Sequence, residues 1–122
     1  MLFTGNFAVV ITVSREHFET LVGAALDSIP RELARHIDNV AVFVEDRSRH
    51  PGLLGLYEGI PLTGRGTSYA GAMPDRITLY REPICARCGT EDELVEEIRR
   101  TVVHEIAHHF GISDARLRAL GY

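Results

Sequence analysis

Five residues between positions 104 and 114 are of types that together can do chemistry: His104, Glu105, His108, Gly111 and Asp114. On an α-helix, residues four apart lie one turn up and about 40° around from each other. Both imidazoles of His104-Glu105-Ile106-Ala107-His108 therefore face one point and can approach one Zn²⁺ at about 2.0–2.1 Å. Glu105 is turned about 100° from His104. That suits it to hold a metal-bound water and take its proton rather than to ligate the ion. A catalytic zinc needs three protein ligands and an open position. A helix continued past Gly111 would carry residue 114 about 15 Å along the axis from residue 104. A left-handed residue at Gly111 instead reverses the chain beneath the metal, and Asp114 swings back as the third, oxygen ligand. A bare HExxH arises by chance in about one in forty chains of this composition; with Gly and Asp at their fixed offsets the figure is about one in ten thousand. Asp114 has a rival role as the N-cap of a last helix, from which Ser113 would release it by capping instead. His109, about 100° around from His108, reads as a supporting or surface residue.

These side chains need a helix to carry them, and Thr90 opens one. Thr90 and Glu93 form a capping box, and Leu94, Ile98, Val102, Ile106 and Phe110 recur every four residues as its core face. Glu96 and Arg100 pair on its wet side, and Gly111 supplies a left-handed cap. Asp114 to Leu120 make a short terminal helix. Upstream, Phe7 to Val13 is short and β-branched, as a strand would be. Ser14 caps a helix with Phe18, Leu21, Val22, Ala25 and Leu26 on its apolar face. Pro30 ends it or begins another over Arg31 to Ile37. Asn39 to Asp46 read as a well-buried strand, Leu53 to Tyr57 as a short one, and Arg76 to Arg81 as a half-buried one. Between the last two lies a Gly/Pro-rich loop, Gly59 to Pro74. Pro83 to Gly89 read as a turn. The order of elements is α+β.

The whole string His104 to Asp114 resembles the Asp-type zincins, zinc peptidases with the motif HExxHxxGxxD. More closely, the chain is similar to the small bacterial zincin-like metallopeptidases, a minimal form of that fold. The likeness runs through Arg15 to Glu19, Asn39 to Val42, Leu54 to Gly59, Pro74 to Tyr80, His104 to Asp114 and Leu117 to Tyr122. It implies one zincin-like domain over residues 1–122, with 1–13 as an N-terminal extension or extra strand, and a small mixed sheet packed on helices. It also implies Zn²⁺ as cofactor, with His104, His108 and Asp114 as ligands. Glu105 would be the general base of a hydrolase that cleaves peptide bonds through a metal-activated water. Only eight residues follow Asp114 and none is Met, so the methionine turn of metzincins is missing. Tyr122 is the expected substitute as the hydrophobic floor. The short tail leaves an open cleft, or one completed by a second subunit or a partner.

The remaining features narrow the function further. Thirteen Arg, no Lys and 17 acidic residues give a net charge of −4, with no basic stripe for nucleic acid and no basic amphipathic helix for a membrane surface. No apolar run approaches the ~20 residues of a membrane span, and the first residues make a poor secretory signal, so the expected location is the cytoplasm. The expected partner is a peptide or protein substrate, with a homodimer as one way to complete the cleft. Cys85-Ala86-Arg87-Cys88 is a lone CxxC that reads as plain thiols rather than as a redox pair. Gly64-Arg65-Gly66 matches no phosphate loop. The strand from Arg76 to Arg81 reads equally as an ordinary sheet strand or as an exposed edge, of the kind that in zincin-like folds pairs with an extended substrate. Tyr57, Tyr69, Tyr80 and Tyr122 are candidate oxyanion stabilisers. The alternative to a peptidase is a weak or inactive metal-binding, protein-interaction module that keeps the same site.

Overall fold

The computed structural model describes residues 10–59 and 74–122. Its helices are α1 (Arg15–Asp27), α2 (Arg31–Ala34), α3 (Arg81–Cys85), α4 (Glu91–Phe110) and α5 (Asp114–Ala119). Its strands are β1 (Val40–Glu45), β2 (Gly55–Glu58) and β3 (Asp75–Tyr80). β3 lies in the middle of the sheet, parallel to β1 and antiparallel to β2. The result is the expected α+β arrangement, a small mixed sheet packed on helices.

Facing residues of neighbouring strands share a side of the sheet. Val42, Ile77 and Tyr57 are in register, as are Val44, Leu79 and Gly55. Gly55 and Tyr57 point to α4, where their neighbours are Thr101, Glu105 and His109. Ile77 and Leu79 are fully buried on that side. They meet Leu94, Ile98, Val102 and Ile106 of α4, each also fully buried, and Phe18 and Ala25 of α1 complete the core. Each such aliphatic side chain contributes about 1.5–3 kcal/mol by leaving water.

The caps follow the sequence with one change. Ser14 Oγ accepts from His17 N–H, and Thr90 Oγ1 accepts from Glu93 N–H. The Glu93 carboxylate reaches one residue further back than a capping box requires and accepts from Gly89 N–H at 2.6 Å. α2 is only four residues long, with turns up to Asn39.

Several expectations need correction. Residues 10–13 form no strand; Ile11 N–H donates to Cys88 O at 2.8 Å, and residues 7–9 lie outside the described ones. β1 is not well buried. It is outermost among the described strands, only Val44 is buried, and Phe43 is 45% exposed beneath the Arg76 guanidinium. β3 stops at Tyr80 because Arg81 starts α3, where a turn was expected. Arg81 is held there by Asp46, at 3.1 Å from both Nε and Nη2. β3 is the central strand and not an edge; β2 is the outer strand next to α4. Phe110 is 43% exposed rather than in the core face; its ring lies against His36 and the edge of Tyr57 instead. Glu96 pairs with Arg99, and Arg100 leans to Glu97 at 3.6 Å, so the expected i,i+4 pair is replaced by two i,i+3 pairs. The loop from Gly59 to Pro74 falls almost wholly outside the described residues.

Candidate metal centre

α4 ends where the sequence places its stop. Gly111 has φ 69°, and its N–H and that of Ile112 both return to Ala107 O. A left-handed residue here costs glycine nothing and any other residue strain. Ser113, not Asp114, then caps α5: its hydroxyl accepts from Arg116 N–H at 3.1 Å. Asp114 is left in the first turn of α5 with an exposed side chain. His104 and His108 are also exposed, on one side of the last turns of α4. All three line one concavity of about 320 Å³, with Ala107, Ile112 and Leu117 as its apolar lining.

Among the described residues, the side chains of His104, His108 and Asp114 have no hydrogen bond or ion pair. As they stand, no three His, Cys, Asp or Glu side chains among the described residues form a closed group around one point. The donor set nevertheless suits a zinc ion: two imidazoles and a carboxylate, uncommitted, exposed and on one concavity.

Glu105 is held differently. Its Oε1 accepts the backbone N–H of Tyr57 on β2 at 3.1 Å. Burial pushes its carboxyl above the ordinary carboxylate range, opposed by the Tyr57 N–H and then by His108 and His104. β2 can come this close because Gly55 has no side chain; a Cβ there would lie 2.8 Å from Thr101 Cγ2 and 3.6 Å from Glu105 Cγ. Tyr57 is itself fixed from two sides. Its hydroxyl donates to Asp75 Oδ2 at 2.8 Å, and its ring stacks on His109 with centroids 3.9 Å apart. Burial and the Asp75 carboxylate push the Tyr57 phenol up to about 12. His109 thus supports β2, as a neighbour of the motif turned away from it should.

The remaining expected residues fall elsewhere. Tyr122 does not line the concavity; its ring lies 5.6 Å from the Arg99 guanidinium, and Leu117 takes the place expected of it. Tyr80 is buried in the sheet, Tyr69 lies outside the described residues, and Tyr57 spends its hydroxyl on Asp75. Cys85 and Cys88 are free and buried, and burial pushes both thiols up, as plain thiols require. The Tyr57 anchor was not foreseen. Its signal was Gly55 inside a strand, which often marks close approach of another element.

Compared with known proteins, residues 37–122 match the family described as zincin-like metallopeptidase. The chain belongs to that family. Among solved structures, the zincin-like chain is similar to a conserved hypothetical protein from Thermus thermophilus, at 27% identity and a TM-score of 0.51. The likeness covers 80% of this chain and 94% of that one. No curated protein matches. Among the described residues, no helix is long and apolar enough to cross a membrane.

Proposed function

We propose that the chain is a zinc-dependent peptidase in which His104, His108 and Asp114 hold the ion and Glu105 is the general base. When bound, Zn²⁺ supplies Lewis acidity, polarising a carbonyl and acidifying water. The protein supplies the proton traffic. Tyr57 N–H pins one Glu105 oxygen, which leaves the other to take a proton from the attacking water and pass it to the leaving amine. Partial burial raises the basicity of that carboxylate, as a proton carrier near neutral pH needs.

One observation carries this reading: Ser113 caps α5 and leaves Asp114 on the same concavity as His104 and His108, beside a half-buried Glu105. The partner of such a site is a peptide or protein segment. The test is a broad end-blocked peptide library incubated with zinc-loaded wild type and zinc-loaded Glu105→Gln. Wild type is expected to cleave, with the variant slower by at least about a hundredfold at equal zinc content. Equal, negligible cleavage by both forms would place the chain in the other class, a metal-binding interaction module. Sedimentation of the zinc-loaded chain tests whether a second copy completes the cleft.

A further inference from the structure

A second concavity, of about 340 Å³, lies against the first. His104 and Glu105 belong to the walls of both, so they form the ridge between them. We propose that this second concavity receives a carboxylate-bearing residue of the substrate, read by Arg87 and Arg100. The inference rests on the hydrolase reading above and names its substrate class.

Position comes first. A peptide whose scissile carbonyl sits at Glu105 has its neighbouring side chains within one residue's reach of this space. Leu53 and Leu54, ahead of β2, and Thr101 of α4 supply apolar surface to its lining. Such a lining accepts the methylenes of a side chain.

Charge decides what the far end takes. Arg87 Nε and Arg100 Nη1 both point to the same oxygen of Glu97, at 3.5 and 3.6 Å. Those distances exceed a normal N–H···O bond. Glu97 is 11% exposed at its side chain, whereas the two arginines are 59% and 52% exposed. Two guanidinium groups therefore share one carboxylate and keep most of their donors turned to water; with Glu105 the lining is formally neutral, two Arg against two Glu. Acids also lie on the far side of the arginines, where Asp92, Glu93 and Glu96 line a separate concavity. Glu93 is engaged by Gly89 N–H and Glu96 by Arg99. Those acids repel an anion from that side, so an anion is better received in the concavity that Leu53 and Leu54 line. A carboxylate has the planar, two-oxygen form that a guanidinium fork binds best. It comes from either an Asp or Glu side chain or a free C-terminus.

The test uses the full zinc-loaded chain and two peptide pairs. One end-blocked pair differs only by Glu against Gln; the other differs only by a free against an amidated C-terminus. Affinity is read by calorimetry, and place by the ¹⁵N shifts of Gly55 and Thr101. The acidic member of one pair is expected to bind about tenfold tighter and to move both resonances; which pair responds identifies the source. Arg87→Gln and Arg100→Gln each lose most of that preference, and Arg100→Lys keeps part of it with the fold intact by circular dichroism. Equal binding within both pairs, or a preference that survives both Gln variants, overturns the proposal. Peptide cleavage with no acid preference overturns the pocket and leaves the hydrolase. Acid-selective binding without cleavage does the reverse.

Discussion

Replacing Gly55 by alanine tests whether the contact between β2 and α4 is as close as described. The new Cβ would stand 2.8 Å from Thr101 Cγ2, about 0.7 Å inside the optimum for two carbons. It would also stand 3.4 Å from Thr78 O and 3.6 Å from Glu105 Cγ, so the strand cannot slide freely. Overpacking of this kind costs about 1–3 kcal/mol. The alanine recovers about 0.4–1 kcal/mol by restricting the unfolded chain, so the net loss lies between about 0 and 2.6 kcal/mol. Thr101→Ser removes the blocking methyl and keeps the hydroxyl, which donates to Glu97 O at 2.8 Å. In that background Gly55→Ala is expected to cost at least about 1 kcal/mol less than in wild type, a coupling that urea denaturation of the four proteins measures. The Tyr57 amide resonance should shift in Gly55→Ala and return in the double variant. Equal costs in both backgrounds, or a stabilising Gly55→Ala, would refute the packing argument and the route by which β2 reaches Glu105.

Gly111→Ala meets no atom within 4 Å, so its cost is conformational alone, about 1–2 kcal/mol for a left-handed residue, and zinc affinity should fall with it; an unchanged midpoint and affinity would deny Gly111 its role as hinge. Ser113→Ala removes the α5 cap and should cost about 1 kcal/mol by thermal or urea denaturation, while Asp114→Ala, which caps nothing, should cost little stability and much zinc affinity. Asp46 has its pKa lowered, first by its hydrogen bond to Arg81. Its pairing therefore stabilises the fold above the ordinary carboxylate range and is lost as pH falls through the lowered value. Asp46→Asn should accordingly be less stable than wild type near neutrality, with the difference shrinking in acid titrations. Cys85 and Cys88 should react with alkylating reagents only at the rate of local opening, in line with their burial, and rapid modification of the native chain would contradict this.

What was legible in the sequence is what repeats or caps. The apolar spacing of α1 and α4, the Ser14 and Thr90 caps and the Gly111 stop are local, and local physics decides them. The same holds for the choice of Ser113 over Asp114 as the α5 cap, open in sequence and settled by one hydrogen bond. Strand order was not legible. The alternation of residues 76–81 is equally suited to an edge or a centre, and only the packing of β2 and β1 on either side made β3 central. Exposure at the ends of elements was not legible either: Phe110 keeps the helical period, but it lies against the rings of His36 and Tyr57 and stays 43% exposed. At the site, the motif located the donors, whereas the anchor on Glu105 comes from a backbone N–H 48 residues away, of which Gly55 inside a strand was the only sign in the sequence.

Zinc X-ray absorption on the loaded chain decides whether a helix turn and a glycine-reversed carboxylate hold the metal. Nitrogen and oxygen scatterers near 2.0–2.1 Å are expected, with imidazole scattering that His104→Ala or His108→Ala reduces and a shell that Asp114→Ala depletes by one oxygen. A sulfur shell near 2.3 Å, which would draw on Cys85 and Cys88, or a shell unchanged in all three variants, would contradict it.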